Sequence, residues 1–282
     1  MTRSTSLIAV LCTIATTLLS LQACAEDLFP DKNLEAAVRR QVFEKRNSKD
    51  PLVEKDVVNI STIDGRGKGI KNLKGLEACK SLAAVDLADN QIEDISPLKD
   101  LKRIQTIDLG KNKIKDIATL GTLTALQYIS IEDNQVSDLS ALKSLSNLRN
   151  LYADNNQIKD VAALADLSKM VSIYLKNNQV SDLKPLAKLR WLERLDVSGN
   201  GVEDITPLTS LTEWRYLFLM RNKIQDLQPL IAMAKKDREG SQRFSLFWKV
   251  YLAENPLAAD KKDAQLGELK KFAKEVNLEY NK

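Results

Sequence analysis

The stretch LAAVDLADNQIEDISPL (residues 82–98) sets the pattern of the chain, because most of its positions recur at a fixed interval. Asparagines spaced by 22 residues mark that interval, at Asn90, Asn112, Asn134, Asn156, Asn178, Asn200 and Asn222. If each asparagine is called N, positions N−5, N−3, N+2, N+5 and N+8 are apolar in all seven repeats. Self-similarity at this period indicates a solenoid, in which each repeat stacks on the next.

The repeat covers residues 63–257 and has two irregularities. An eighth asparagine, Asn255, follows the seventh by 33 residues, so the seventh repeat carries an eleven-residue insertion near residues 235–245. Before Asn90 the apolar positions continue, but Lys68 stands where the asparagine should be. We therefore expect a degenerate first repeat and a longer seventh one.

Several repeated positions are expected to serve the scaffold. The alternation of N−5 and N−3 predicts a short strand with two inward side chains, and the asparagine is expected to bond backbone groups at the following turn. An aspartate at N+4 of all seven repeats suggests calcium, but carboxylates spread along a ridge do not converge on one ion. Asp also accepts backbone N–H groups where a turn begins. We therefore expect no metal and no cofactor.

Cys79 is expected to be a buried, unpaired thiol. It stands at N−11, where the later repeats have leucine. Free cysteine behaves as a small hydrophobic residue in such a position. A disulfide with Cys24 is therefore not expected, although two cysteines in an exported chain would permit one.

The repeat resembles the leucine-rich repeat family in its 22-residue, bacterial internalin-like form. The shared motif, L-x-x-L-x-L-x-x-N-x-I-x-D-I-x-P-L, is matched by residues 82–98 and again by LERLDVSGNGVEDITPL (192–208). The resemblance implies an α/β solenoid: a curved right-handed superhelix with a parallel β-sheet on its concave face. It also implies that another protein binds at a cell surface. FPDKNLEAAVRRQVF (29–43) is similar to the helical N-terminal cap of these proteins, which implies a cap over residues 24–62.

The C-terminal residues 258–282 are predicted to form a capping helix. Leu266, Leu269 and Phe272 would share one face of that helix, with lysines on the opposite face. The last open core of a solenoid needs such a cover. We therefore assign this segment a structural role.

Residues 1–23 are typical of an export signal. LIAVLCTIATTLLSL (7–21) is apolar or small throughout, which is too short for a bilayer span but suits a signal-peptide core. LQAC (21–24) resembles a bacterial lipobox, which would place the lipid on Cys24. ACA (23–25) fits ordinary cleavage instead. We expect an exported protein of the bacterial cell envelope, attached to a membrane only through a lipid on Cys24, or else periplasmic or secreted.

Function is expected at the outward strand positions N−6, N−4, N−2 and N−1, which the repeat does not fix. Five of the six tyrosines fall at N−6 or N−4. The candidate contact residues for a protein partner are Tyr128, Tyr152, Tyr174, Arg194, Tyr216, Phe218, Met220 and Tyr251. Exposed aromatic and Met side chains are common interface anchors. The competing explanations are the preference of tyrosine for strands and ring stacking that only steadies the sheet.

Composition and charge limit the other functions. The net charge of +4, without a dense basic face, argues against nucleic acid, and the chain has no histidine and no nucleophile motif. Asp86 and Asp108 are predicted to lie about 5 Å apart, the separation of a retaining glycosidase pair, but an open wall excludes no water. The sequence thus predicts a non-enzymatic protein-binding module that uses its concave face. A carbohydrate-binding surface protein is the alternative, with a carboxylate-pair glycosidase behind it.

Overall fold

A computed structural model describes residues 27–279 of the chain, and these form ten strands in one open parallel sheet whose spatial order equals the chain order. The strands are β1 Thr62–Asp64, β2 Ala84–Asp86, β3 Thr106–Asp108, β4 Tyr128–Ser130, β5 Asn150–Tyr152, β6 Ser172–Tyr174, β7 Arg194–Asp196, β8 Tyr216–Phe218, β9 Lys249–Tyr251 and β10 Glu275–Asn277. Each strand pairs only with its neighbours along the chain. This arrangement confirms the predicted solenoid.

Short helices carry the chain back from one strand to the next. The α-helices are α1 Lys32–Arg39, α2 Glu54–Val57, α3 Gln228–Glu239 and α4 Lys262–Leu269. The 3-10 helices are Phe43–Lys45, Leu76–Ala78, Ser96–Leu98, Ala118–Thr122, Ser140–Ser144, Ala162–Leu164, Lys184–Lys188 and Thr206–Ser210. A single 3-10 turn suits a 22-residue repeat, because it reverses the chain in fewer residues than an α-helix.

The strand register follows the period of the sequence. Leu151 lies between Ile129 and Ile173 on the neighbouring strands, and all three side chains are fully buried. Ala153, two residues further along β5, is also buried, while Tyr152 between them points outward and is half-buried. Neighbouring strands therefore present equivalent positions side by side, and the outward residues form columns that cross the sheet.

The repeated asparagines form a buried ladder at the turn that follows each strand. Asn156 donates from Nδ2 to the carbonyls of Ala153 and Asp154 in its own repeat, at 3.2 and 3.1 Å, and to that of Ile131 in the preceding repeat, at 2.9 Å. Its Oδ1 accepts the N–H of Val136, also in the preceding repeat, at 2.9 Å. One amide thus satisfies four backbone groups in two repeats, which is the role expected for it.

The aspartates at N+4 begin the outer turns. Asp138 accepts the backbone N–H of Ser140 at 2.7 Å and its hydroxyl at 2.8 Å, which lowers the pKa of Asp138. The bond to the N–H two residues on recurs in every repeat. This confirms the scaffold role. Within residues 27–279, no group of three or more His, Cys, Asp or Glu side chains is arranged to hold a metal ion.

The N-terminal cap is joined to the first repeat through Asp31. Its Oδ1 accepts the N–H groups of Asn33 and Leu34 at the start of α1, and its Oδ2 accepts those of Lys71 and Asn72 in the repeat. Burial acts to raise the pKa of Asp31, but the four N–H donors outweigh it and lower that pKa. One carboxylate therefore fixes the angle at which the cap meets the solenoid.

Cys79 is fully buried, and burial raises the pKa of its thiol to about 12, as suits a core position. The export signal at residues 1–23 and the candidate lipidation site, Cys24, lie outside the described residues. Across residues 27–279, none of the helices combines the length and the apolarity that crossing a bilayer requires.

The insertion in the seventh repeat replaces a 3-10 turn with the twelve-residue helix α3. Asp237, buried near its end, accepts the N–H groups of Arg243, Phe244 and Ser245 and thereby folds the loop back onto the solenoid. The repeat pattern would place the residue at N−8, Phe247, in the core. The loop instead leaves it 63% exposed and buries Trp248 completely.

The prediction of a capping helix over residues 258–282 is wrong in its extent. The helix α4 covers only Lys262–Leu269, with Leu266 and Leu269 buried, and Phe272 follows the helix instead of sharing its face. The chain then returns to the sheet as β10, parallel to β9. An added strand covers the exposed backbone edge of β9, which a helix at this position would leave unpaired.

The asparagine ladder gives a stability prediction. Asn156→Ala leaves buried backbone groups without partners, so we expect it to lower the free energy of unfolding by about 1–3 kcal/mol. The neighbouring Asn155 is exposed and has φ 55°, so Asn155→Gly is the matched control, because glycine tolerates that conformation. Urea unfolding followed by circular dichroism measures both variants. Equal midpoints would show that the buried amide does not hold the repeats together.

Candidate binding face

All eight predicted contact residues lie at outward positions on strands β4 to β9, or just beyond β8, and all are half-buried. They are Tyr128, Tyr152, Tyr174, Arg194, Tyr216, Phe218, Met220 and Tyr251. The alternation that buries N−5 and N−3 turns these side chains to the open side of the sheet. The structure arranges their rings as two separate ladders, where the sequence suggested one patch.

The first ladder consists of Tyr128, Tyr152 and Tyr174. Tyr152 and Tyr174 face each other on β5 and β6, and their rings stack with centroids 4.8 Å apart and planes 6° apart. Tyr128 belongs to the neighbouring column on β4 and reaches Tyr152 at 5.2 Å. Ser130, which pairs directly with Tyr152, is small and buried, so it leaves room for that diagonal contact.

The second ladder consists of Tyr216, Phe218 and Tyr251. Phe218 stacks on Tyr251 at 4.5 Å, and the Tyr216 ring lies 6.1 Å from that of Phe218. Arg194 places its guanidinium 5.9 Å from the centre of the Tyr216 ring, within the range of a cation–π contact. Met220 follows Phe218 by two residues on the same side of the sheet.

Asp196 separates the two ladders. It stands between Tyr174 and Phe218 in the sheet, and only 8% of it is exposed. Its carboxylate accepts the N–H of Ser198 at 2.8 Å, and burial raises its pKa. Asp196 is therefore held against the sheet. It places a polar residue in the aromatic column on the outward, concave face of the sheet, which we call the wall.

Beside the first ladder the wall sinks into a hollow of about 210 Å³. Small side chains at N−6, namely Thr62, Ala84 and Thr106, give it depth, and Tyr128 forms one side. The sequence already showed small residues at N−6 in these three repeats. Only the strand register shows that they lie side by side and form the hollow.

Arg66, two residues beyond β1, joins two carboxylates that border this hollow, a contact that the repeat pattern did not reveal. Its Nε donates to Asp86 at 2.9 Å and its Nη2 donates to Asp108. Asp86 and Asp108 are neighbours across β2 and β3, as the glycosidase alternative requires. One guanidinium, however, engages the Oδ2 atoms of both, so the two carboxyl groups are joined by a cation instead of facing an open space between them.

A second row, at N−1, runs along the edge of the wall. Asn155 donates to Asp133 at 2.7 Å, and Asn177 donates to Asn155 at 2.6 Å. Arg221 then reaches two repeats back to Asn177, at 2.6 Å. This long contact needs Gly199 between them, because a Cβ there would lie 2.4 Å from the Asn177 side-chain oxygen.

Comparison with known proteins agrees with this geometry. A family model for Leucine Rich repeats (2 copies) matches residues 80–122, 102–144, 146–188 and 190–232. The crystal structure of internalin C2 from Listeria monocytogenes is similar, with 34% identity and a TM-score of 0.69 over 72% of this chain and 89% of that one. The chain belongs to the internalin-like leucine-rich repeat proteins.

A second internalin is also similar to this internalin-like chain. Internalin F from Listeria monocytogenes shares 28% identity with it, with a TM-score of 0.70 over 94% of this chain and 80% of that one. A search of curated proteins finds no match. The resemblance read from the repeat motif is thereby confirmed.

The outward wall of this internalin-like protein is divided by charge. On β1 to β5 and the turns after them, the charged outward residues are Asp64, Asp86, Asp89, Asp108, Glu132, Asp133 and Asp154, against Arg66 and Lys111. On β6 to β9 and their turns they are Lys176, Arg194, Arg221 and Lys249, against Asp196 and Glu254. The wall is therefore negative from β1 to β5 and has a small excess of positive charge from β6 to β9, part of which Glu275 of β10 neutralises at Lys249.

Asp154, which the repeat pattern does not distinguish from the other outward acids, has a carboxyl group with a strongly raised pKa. It follows Tyr152 by two residues, and its carboxylate accepts the N–H of Lys176 at 2.7 Å. Burial raises the pKa of Asp154 to about 7, against the lowering effect of that hydrogen bond and with a further increase from Asp196 and Glu132. Its position in an outward column did not reveal this burial.

Neighbouring groups respond to the same negative field. Burial raises the pKa of Glu132, and the charges of Asp133 and Asp108 raise it further. Burial likewise raises the pKa of Tyr128 to about 12, with Asp108 as the next contribution. Carboxylates that crowd one another in this way favour the approach of a cation.

The raised pKa of Asp154 gives a pH prediction. A carboxyl group that ionises at higher pH in the folded state than in the unfolded state costs stability as the pH rises through that interval. As the pH rises from 5 to 8, we therefore expect the free energy of unfolding of Asp154→Asn to increase relative to that of the wild type by on the order of 1–3 kcal/mol. Urea unfolding at both pH values measures the gain. Asp166→Asn, at an exposed acid after an outer 3-10 helix, is the control, and an equal pH response in both variants would contradict the assignment.

Proposed function

We propose that the concave face binds another protein and that the two aromatic ladders are its anchors. The observation that carries this proposal is the ring contact of Tyr128 with Tyr152, and of Tyr152 with Tyr174, at positions that the repeat leaves free. Stacked rings are already held in place, so they lose little rotamer entropy when a partner covers them. Their exposed edges and hydroxyl groups offer both apolar contact and hydrogen bonds.

Ring geometry favours a protein over a carbohydrate partner. A sugar stacks on a free ring face, but Tyr174 stacks on Tyr152 at 4.8 Å and Tyr128 lies against Tyr152 at 5.2 Å with a tilt of 36°, so less of that ring is open to a sugar. Tyr251 likewise stacks on Phe218 at 4.5 Å, and the nearly parallel Tyr216 ring lies 6.1 Å from Phe218. A protein surface can instead pack against the ring edges. The open wall and the ion-paired Asp86 and Asp108 support a non-enzymatic role.

We propose further that the protein acts at the bacterial cell envelope. The apolar segment at residues 7–21, followed by LQAC at 21–24, supports export and a lipid on Cys24. A lipid anchor would hold the solenoid at a membrane surface with its concave face available to a partner. With ordinary cleavage, the same domain would act in the periplasm or outside the cell.

Site-specific crosslinking tests the binding face. A photoreactive phenylalanine analogue in place of Tyr152 is expected to capture a protein in the bacterial host. The same analogue in place of Trp191, an aromatic residue that is 53% exposed outside the strands, is expected to capture none. Equal capture from both positions would contradict the proposal.

Anchor variants test the role of the rings once that partner is purified. We expect Tyr152→Ala and Tyr174→Ala each to weaken its binding by about 30-fold, the usual effect of removing a central anchor. The loss of one stacked ring should lower the stability of the domain by only about 0.5–1.5 kcal/mol. Calorimetry gives the affinities and thermal unfolding gives the stabilities. Wild-type affinity in both variants would mean that the rings only steady the sheet.

The proposed lipid on Cys24 is tested by metabolic labelling with a palmitate analogue in a bacterial host. The wild type and Cys79→Ser should take up the label, because Cys79 is buried in the folded domain. Cys24→Ser should not. An unlabelled wild type, or a labelled Cys24→Ser variant, would contradict lipidation of Cys24 and leave ordinary signal cleavage as the explanation.

A further inference from the structure

The tyrosine ladder borders a part of the wall whose charge is poorly balanced. The outward residues from β1 to β5 are mainly acids, and the two bases among them are Arg66 and Lys111. Arg66 is already held between Asp86 and Asp108. The charges of Lys111 and Arg66 act on Glu132, and that of Lys176 acts on Asp154, but burial and the neighbouring acids still raise the pKa of both carboxyl groups. The first ladder is thus flanked by negative charge that this chain leaves largely unmatched.

The second ladder has the opposite surroundings. Arg194 lies over the Tyr216 ring, and Lys249 pairs with Glu275 at 2.8 Å. Outward bases exceed outward acids from β6 to β9. A partner that crosses both ladders therefore meets a strongly negative surface at one end and a weakly positive one at the other, and this difference favours one orientation.

The hollow beside Tyr128 offers a place for one long side chain. It is lined by small residues, Thr62, Ala84 and Thr106, and bordered by Asp86 and Asp108. Lysine and arginine combine an apolar stem, which suits such a floor, with a cationic head that pairs with carboxylates and packs on aromatic rings. Arg66 of this chain already donates to both carboxylates, which shows that they can bind a guanidinium group.

We propose that the protein segment bound on the first ladder is positively charged and that it places a Lys or Arg side chain in the hollow beside Tyr128. The proposal rests on the proposed function of the concave face and adds the chemistry and orientation of the partner. Removal of Arg66 should then strengthen binding, because the incoming cation no longer competes with an internal one. A purely structural role for Arg66 would give the opposite effect.

Selection from a phage-displayed library of random twelve-residue peptides tests the chemistry. The library is selected in parallel on the purified wild-type protein and on Tyr152→Ala. Peptides enriched on the wild type and lost on the variant are expected to carry a net positive charge. Peptides that depend on Tyr152 but are neutral or acidic overturn this inference and leave the binding face intact. If no peptide depends on Tyr152, the proposed function fails and the inference fails with it.

Variants on the acidic part of the wall test the charge pairing with one such peptide. Asp108→Asn should weaken its binding and Arg66→Gln should strengthen it, each by about 1.5- to 5-fold, as expected for one charge pair near the surface. Asp166→Asn, at an exposed acid after an outer 3-10 helix, is the matched control and should leave the affinity unchanged. Calorimetry at two salt concentrations should show weaker binding at the higher one. Weaker or unchanged binding with Arg66→Gln overturns the inference.

Discussion

The buried asparagine amide is the interaction on which the rest of the structure depends. Each one joins the end of its own strand to the turn of the preceding repeat, as Asn156 does with Ile131 and Val136. Because one side chain must satisfy four backbone groups at fixed geometry, the two repeats cannot slide relative to each other. The spacing of 22 residues is thus enforced at the backbone, and the apolar core positions follow from it.

A fixed register lets a binding surface be built from unrelated residues. Neighbouring strands lie about 4.8 Å apart, which is also a favourable distance for stacked rings. Tyrosines placed one repeat apart therefore stack without any further device, as Tyr152 and Tyr174 do at 4.8 Å. Substitutions in these columns leave Leu151 and Ala153 in place beneath them. The wall can thus change its chemistry while the core keeps its packing.

The ends of the solenoid follow rules that the repeat does not contain. Asp31 joins the cap to the first repeat with four backbone hydrogen bonds, and Asp237 folds the inserted loop onto the last ones. That loop turns Trp248 into the core in place of Phe247. Each device occurs once, so periodicity could not reveal it. The strand β10 was missed although the sequence contained a signal for it, since Val276, Leu278 and Asn281 have the spacing of N−5, N−3 and N.

The sequence by itself determined the solenoid, the direction of each side chain on the strands and the location of Cys79 in the core. A period of two within each strand and of 22 between strands leaves one arrangement that buries every repeated apolar residue. It also placed the eight candidate contact residues on the concave wall. Only the tertiary structure decided that their rings form two ladders, that Arg66 joins Asp86 to Asp108, and that Asp154 is buried enough to ionise near neutral pH. These properties depend mainly on distances between side chains 20 or more residues apart, and the pattern of one strand does not contain them.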